Sequence, residues 1–184
     1  MTNDNLIYTN SNHKYFNCVN MLSNILELQD LIKVVHDLRK LGKSIVFTNG
    51  CFDILHVGHV RYLTAARSEG DVLVVGLNSD ESVRSIKPEN RPIVNQNQRA
   101  EVLAGLECVD YITVFNEPDP LKVIKELKPD VLVKGADWIE KEIIGADIVK
   151  ANGGKVVRVP VVPEVSTSRI IQRIAKRYQP WDGE

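Results

Sequence analysis

The sequence predicts an α/β fold: a doubly wound, Rossmann-like parallel sheet of five strands in a single domain. Three observations carry this prediction. Short apolar runs recur between residues 45 and 159, and stretches with helical spacing separate them. The run Val72-Leu73-Val74-Val75-Gly76-Leu77 contains no polar side chain, as a central parallel strand covered on both faces requires. Glycines and cap-forming residues fall at the boundaries between the two kinds of segment.

Each element follows in order. Residues 1–24 are rich in asparagine, include Thr2, Thr9, Ser11 and Ser23, and show no sustained apolar period, which predicts a poorly ordered leader before a folded domain over 25–180. Leu28, Leu31, Ile32, Val35 and Leu38 recur at helical spacing, and Gly42 sits where a C-terminal cap belongs. Strand 1 spans 45–48, and the helix after it runs to about residue 68, closed by Gly70. Strand 2 spans 72–77. Ser79-Asp80 begins a short helix, residues 98–105 lie in another, and strand 3 spans 111–115. Asp119-Pro120 reads as a helix start with proline at the first position. Strand 4 is 131–133, a helix covers 143–151, and strand 5 is 155–159. Ser166-Thr167-Ser168 caps a last helix whose Ile170, Ile171, Ile174 and Tyr178 mark the buried side. In such a sheet, ligands bind at the carboxyl ends of the strands.

The junction after strand 1 is the most informative stretch. Asn49-Gly50-Cys51-Phe52-Asp53-Ile54-Leu55-His56-Val57-Gly58-His59 runs from an apolar strand into a helix. A helix starting near Gly58 offers unpartnered N–H groups carrying partial positive charge, which suits phosphate. Gly58 removes a side chain that would block close approach of a nucleotide. His56 and His59, three apart, can aim donors at the same phosphates.

Other readings of these residues lack support. A zinc site of Cys51, His56 and His59 has no Cys-x-x-Cys or His-Glu-x-x-His beside it. No orienting residue or oxyanion motif accompanies a Cys51 nucleophile activated by His59. His-x-Gly-His taken alone fits a solvated helix start equally well, so its flanks carry the weight. Gly42-Lys43-Ser44 ends like a P-loop, but Asp37 stands where glycine is needed and the segment precedes a strand. Gly-x-Gly-x-x-Gly is absent after strand 1, which disfavours a dinucleotide oxidoreductase.

Composition narrows the function classes. With 43% apolar residues the chain can bury a core, and 23 basic against 24 acidic residues give a net charge of −1. That balance leaves no footprint for nucleic acid or an anionic membrane, so neither is expected as a partner. Cys18, Cys51 and Cys108 have no framework spacing, which fits a reducing cytoplasm, and no apolar run is long enough to span a bilayer.

Positive charge for an anionic ligand must therefore be local. Lys87, Arg91 and Arg99 follow strand 2, and each is either a phosphate ligand or an ordinary surface charge. After strand 4, Lys134-Gly135-Ala136-Asp137-Trp138 combines a glycine allowing close approach with a carboxylate able to accept from hydroxyl or amino groups, although Gly and Asp also suit a plain turn. Ser166, Thr167, Ser168 and Arg169 follow strand 5, where they form either a simple cap or a second anion site on the same sheet edge.

Gly-x-Phe-Asp followed by His-x-Gly-His resembles the signature of the cytidylyltransferase-like nucleotidyltransferases. From about residue 28 to 177, the order of Asn49-Gly50-Cys51-Phe52-Asp53, His56-Val57-Gly58-His59, Asn78-Ser79-Asp80, Arg91-Pro92, Arg99, Val109-Asp110, 131–137 and Ser166-Thr167-Ser168 is similar to that of D-glycero-β-D-manno-heptose 1-phosphate adenylyltransferases. These are the adenylyltransferase modules of ADP-heptose synthesis, which supplies a lipopolysaccharide precursor. The resemblance implies transfer of AMP from ATP to a sugar 1-phosphate, with release of pyrophosphate. It implies Mg2+ carried by the triphosphate, with no metal site on the protein. A homo-oligomer and a separate sugar kinase are also implied, since bifunctional relatives fuse such a kinase to this module.

By the same resemblance His56, His59, Lys87 and Arg99 are catalytic and Arg91 binds the acceptor; Asp53 binds the acceptor, orients a lysine or a bound metal, or only fixes the turn. The nucleotide falls to Thr48, Asn49, Gly50, Cys51, Phe52 and Gly58 on one side, to Lys134, Gly135 and Asp137 on another, and to Ser166, Thr167 and Ser168. Lys87-Pro88 departs from the pattern, since members often carry glycine after this lysine, and the proline stiffens the loop. The alternatives are cytidylyl transfer to glycerol phosphate or ethanolamine phosphate, and a nucleotide-binding regulatory module without turnover.

Overall fold

A computed structural model describes residues 23–178, so most of the expected leader lies outside the described residues, as do the last two positions of the expected domain. Five parallel strands, β1 (Ile45–Gly50), β2 (Val72–Asn78), β3 (Tyr111–Phe115), β4 (Val131–Gly135) and β5 (Lys155–Val159), form one sheet in the order β3-β2-β1-β4-β5. The order reverses beside β1, the first strand, as in a doubly wound sheet. Seven α-helices alternate with the strands: α1 (Leu28–Lys40), α2 (Val57–Arg67), α3 (Asp80–Ile86), α4 (Gln96–Ala104), α5 (Leu121–Leu127), α6 (Ala146–Ala151) and α7 (Thr167–Arg177).

Strand alternation sorts the core into two layers. Ile45, Phe47, Val74 and Leu132 pack with Leu31 and Val35 of α1, Ile124 of α5 and Val149 of α6. Val46, Leu73, Val75 and Val133 pack with Leu63 and Ala66 of α2 and Ala100 and Leu103 of α4. Every residue of β2 is buried, which accounts for its unbroken apolar run.

Several boundaries differ from the sequence reading, each for a local reason. Asn24 belongs to the fold rather than to a leader: its carbonyl accepts the Ile112 N–H at 2.8 Å, and Leu26 N–H returns to the Ile112 carbonyl, so residues 24–26 extend the sheet beyond β3. Helix α4 starts two residues early because Asn95 caps it, accepting from Gln98 N–H. Pro120 is the N-cap of α5 rather than its first residue. Helix α6 starts only after Gly145, whose φ of +82° interrupts the expected helix, and Glu140–Glu142 form a separate 3-10 turn. On α7 the expected buried side is only half covered: Ile174 is 50% and Tyr178 74% exposed.

One feature of the sheet positions the site. β1 and β2 pair at six positions, whereas β1 and β4 pair only at Val46–Val131 and Phe47–Leu132. Past Phe47 the two strands separate, which opens the crevice at the switch point. Among the described residues no helix is long and apolar enough to cross a membrane.

Candidate active site

His56 is the N-cap of α2, with extended backbone angles (φ −146°, ψ 170°), and its Nδ1 accepts the His59 N–H at 3.4 Å. That bond places the proton of a neutral His56 on Nε2. The two imidazoles stack, ring centres 3.8 Å apart and planes 17° from parallel. A Cβ on Gly58 would lie 2.9 Å from His56 Nδ1, so the glycine makes room for the histidine ring itself. On its other side His59 meets the edge of Phe52, ring centres 5.2 Å apart. Burial pushes His59 down to about 4, with a smaller contribution from His56, and burial also lowers His56. Both shifts favour the neutral imidazole at pH 7, which has one N–H to donate. His59 Nδ1 is buried without a hydrogen-bond partner among the described residues, a cost concentrated at the site.

The start of α7 is tied to the same rim. Thr167 Oγ1 donates to the Ile54 carbonyl at 3.3 Å, and Val162 Cβ lies 3.8 Å from where a Cβ on Gly58 would sit. Ser166 caps α7 by accepting the Arg169 N–H. The three hydroxyls thus divide their work: Ser166 caps, Thr167 fastens the helix to the segment leading into α2, and Ser168 is exposed toward solvent.

Arg99, expected to grip a phosphate, is instead fully buried. Its Nε donates to Val94 O at 2.9 Å, Nη1 to Cys51 O at 2.5 Å and Asn78 O at 2.9 Å, and Nη2 to Asp80 Oδ1 at 2.7 Å. A guanidinium with four such bonds joins the loops after β1 and β2 to the start of α4 and has little left for a ligand. Asp53 and Arg91, expected on the acceptor, satisfy each other: the buried carboxylate accepts Arg91 Nε at 2.5 Å and the N–H groups of Ile93 and Val94 at 2.8 Å. Of the expected cations after β2, Lys87 remains available. It is exposed at the end of α3, has no ion pair among the described residues, and acts electrostatically on the Cys51 thiol.

Thr48, Gly50 and Phe52, also expected at the nucleotide, have close contacts within the chain. Thr48 is fully buried, its hydroxyl 2.7 Å from that of Tyr62. Phe52 is buried with φ +43°, and its ring stands within 3.0 Å of where a Cβ on Gly50 would project, so Gly50 and Phe52 shape the turn behind His59. Cys51 is half-buried, and burial pushes its thiol up, which disfavours a nucleophilic thiolate.

Across the crevice, Lys134 is buried, donates to Asn49 Oδ1 and lies 5.6 Å from the centre of the Trp138 ring. Burial lowers it to about 8, against weaker opposing influences from Cys51 and Asp137. Asp137 is exposed and folds back over Gly135, where a Cβ would come within 2.3 Å of Oδ1. No group of three His, Cys, Asp or Glu residues able to hold a metal occurs among the described residues.

The model of the cytidylyltransferase-like family matches residues 47–173, from β1 into α7. The chain belongs to that family. Among curated relatives, it is 50% identical over 156 residues to the bifunctional protein HldE of Citrifermentans bemidjiense, covering 85% of this chain and 32% of that protein. Bifunctional protein HldE of Aliarcobacter butzleri is 51% identical over 167 residues, covering 91% and 33% respectively. The chain spans about a third of the length of these relatives. Among solved structures, the lipopolysaccharide core biosynthesis protein from Thermoplasma volcanium is 32% identical with a TM-score of 0.55, covering 66% of this chain and 98% of that one. Pantoate-beta-alanine ligase from Francisella tularensis shares the fold at 17% identity and a TM-score of 0.53, covering 87% and 81%.

In this cytidylyltransferase-like chain, two site-shaping residues escape sequence reasoning. Tyr62 donates its hydroxyl to the Val133 carbonyl at 3.0 Å and meets Thr48; its spacing of three from His59 is the only signal in the sequence. Asp80 reads as an ordinary first-turn carboxylate, yet it is the acidic partner of buried Arg99.

Proposed function

We propose that this chain transfers AMP from ATP to D-glycero-β-D-manno-heptose 1-phosphate, giving ADP-heptose and pyrophosphate. The observation that carries the reading is the stacked pair of neutral imidazoles at the start of α2, fastened through Ile54 and Thr167 to the start of α7. Two helix beginnings on one rim suit a polyphosphate. The acceptor follows from the sequence resemblance to heptose 1-phosphate adenylyltransferases and from about 50% identity to HldE over most of the chain.

The chemistry follows from these groups. An oxygen of the anomeric phosphate attacks the α-phosphorus in line, the bond from that phosphorus to the bridging oxygen breaks, and pyrophosphate leaves with the electron pair. The attacking oxygen is already ionised, so no general base is needed. His56 and His59 donate hydrogen bonds to the α- and β-phosphates, where charge develops, while Lys87 contributes charge at the acceptor side. Arg99, Asp53 and Arg91 act indirectly by holding the loops. Asn49, Lys134, Gly135 and Asp137 line the crevice for the nucleoside, and Ser168 with the α7 terminus receives the departing phosphates. Magnesium would enter as part of the substrate MgATP, where it would neutralise charge on the triphosphate. A sugar kinase reaction has to supply the sugar 1-phosphate.

A pyrophosphate-release assay crossing ATP and CTP with heptose 1-phosphate, other sugar phosphates and glycerol phosphate tests this. Release only with ATP and heptose 1-phosphate is expected. CTP with glycerol phosphate would move the chain to cytidylyl transfer, and silence from every pair would leave a binding module.

A further inference from the structure

Beyond Phe47 and Leu132 the separating strands β1 and β4 are bridged by side chains instead of backbone. Strand alternation puts the bridges on opposite faces: Thr48 and Val133 on the α2 side, Asn49 and Lys134 on the other. On the α2 side the hydroxyl of Tyr62 sits between the strands, 2.7 Å from Thr48 Oγ1 and 3.0 Å from the Val133 carbonyl. A carbonyl can only accept, so Tyr62 spends its proton there and Thr48 donates to Tyr62. Burial raises the phenol to about 12, which keeps that proton in place.

We propose that Tyr62 is a positioning residue for the histidine pair, its hydroxyl locking α2 across the gap between β1 and β4. Tyr62 lies one turn beyond His59 on the same side of α2. Its two bonds reach both walls of the crevice, so they fix the distance from the imidazoles to a nucleotide held between those walls. Removing the hydroxyl leaves the Thr48 hydroxyl and the Val133 carbonyl each short of a partner in a buried place, and the helix relaxes away from its register. Misplacement by a fraction of an ångström costs rate rather than ground-state binding.

The inference rests on the adenylyl-transfer reading for its kinetic arm alone. Tyr62→Phe, Thr48→Val and the double variant are compared by kcat and KM for ATP, by melting temperature, and by the Cε1–H resonances of His56 and His59, assigned with His56→Gln and His59→Gln. The expected result for Tyr62→Phe is a kcat lower by about tenfold at nearly unchanged KM, with both imidazole resonances displaced. The double variant should be no slower than Tyr62→Phe within about twofold, because both changes break one chain of hydrogen bonds. Wild-type kcat with unmoved resonances overturns the proposal whatever happens to the melting temperature, and so do fully multiplicative losses in the double variant. If the wild-type chain releases no pyrophosphate from any pair, the adenylyl-transfer reading fails, and the resonances alone decide for or against Tyr62.

Discussion

The carboxylate of Asp53 receives Arg91 Nε at 2.5 Å in a buried pair and accepts the Ile93 and Val94 N–H groups as well. Burial alone would raise this carboxyl, but the Val94 and Ile93 N–H groups and the Arg91 guanidinium outweigh it and hold it below its ordinary range. A depressed acid contributes stability above its unfolded pKa and loses it as pH falls through the folded value, so the contribution fades below about pH 4. Asp53→Asn strands a buried guanidinium and should destabilise the fold by about 3–5 kcal/mol in urea titrations at pH 7. The penalty should shrink at pH 3. A raised KM for the sugar phosphate at unchanged stability would instead make Asp53 a substrate ligand.

Gly58 separates activity from stability. A Cβ there meets His56 Nδ1 at 2.9 Å, yet alanine is favoured over glycine in a helix by roughly 1 kcal/mol. Gly58→Ala should therefore melt at the same temperature as wild type or slightly higher, while kcat falls at least about tenfold as the His56 ring turns away. Unchanged turnover would mean that the stacked arrangement is not needed.

Periodicity made the sheet legible: all five strands and the central buried run follow from apolar spacing, because parallel strands covered by helices need little else. The helix start at His-x-Gly-His was legible too, but those four residues alone fit a solvated helix start equally well, and the flanking Gly-x-Phe-Asp pointed to phosphate chemistry. What spacing cannot reveal is how a polar group is spent. Thr48 reads as a ligand because it sits at the end of strand 1, and Arg99 because it is a cation following strand 2, but Cys51, Asn78, Asp80 and Val94 bring four acceptors around Arg99, and α2 brings a phenol to Thr48. Those partners are distant in sequence, Asp80 by 19 positions and Cys51 by 48. For Arg99 the separation of a positioning role from a phosphate-binding one needs the folded chain.

His59 should behave as a neutral donor throughout the physiological range. Its folded pKa of about 4 lies below the ordinary histidine value, so the unfolded chain binds the extra proton between about pH 6.5 and 4, and stability falls as pH drops through that window. The full effect is on the order of 3 kcal/mol. His59→Ala should remove that slope from the stability profile. It should also lower kcat at least about a hundredfold with little change in ATP affinity. Wild-type turnover in this variant would take the imidazole out of the mechanism.

Lys134 should carry opposite pH signatures for folding and for ATP binding. Burial lowers its ammonium to about 8, so between pH 8 and the unfolded value near 10.4 the unfolded chain holds more protons, and stability of the free protein rises with pH. A phosphate or an adenosine hydroxyl that needs the charged donor reverses this preference. ATP affinity should then weaken above pH 8, approaching about tenfold per pH unit, with proton uptake on binding visible by calorimetry in buffers of different ionisation enthalpy. Lys134→Met keeps the length of the stem beside Trp138 and should flatten both profiles. If the variant still loses ATP affinity above pH 8, another group titrates and Lys134 does not face the nucleotide; if only the folding profile flattens, the Lys134–Asn49 bridge is a structural tie across the crevice.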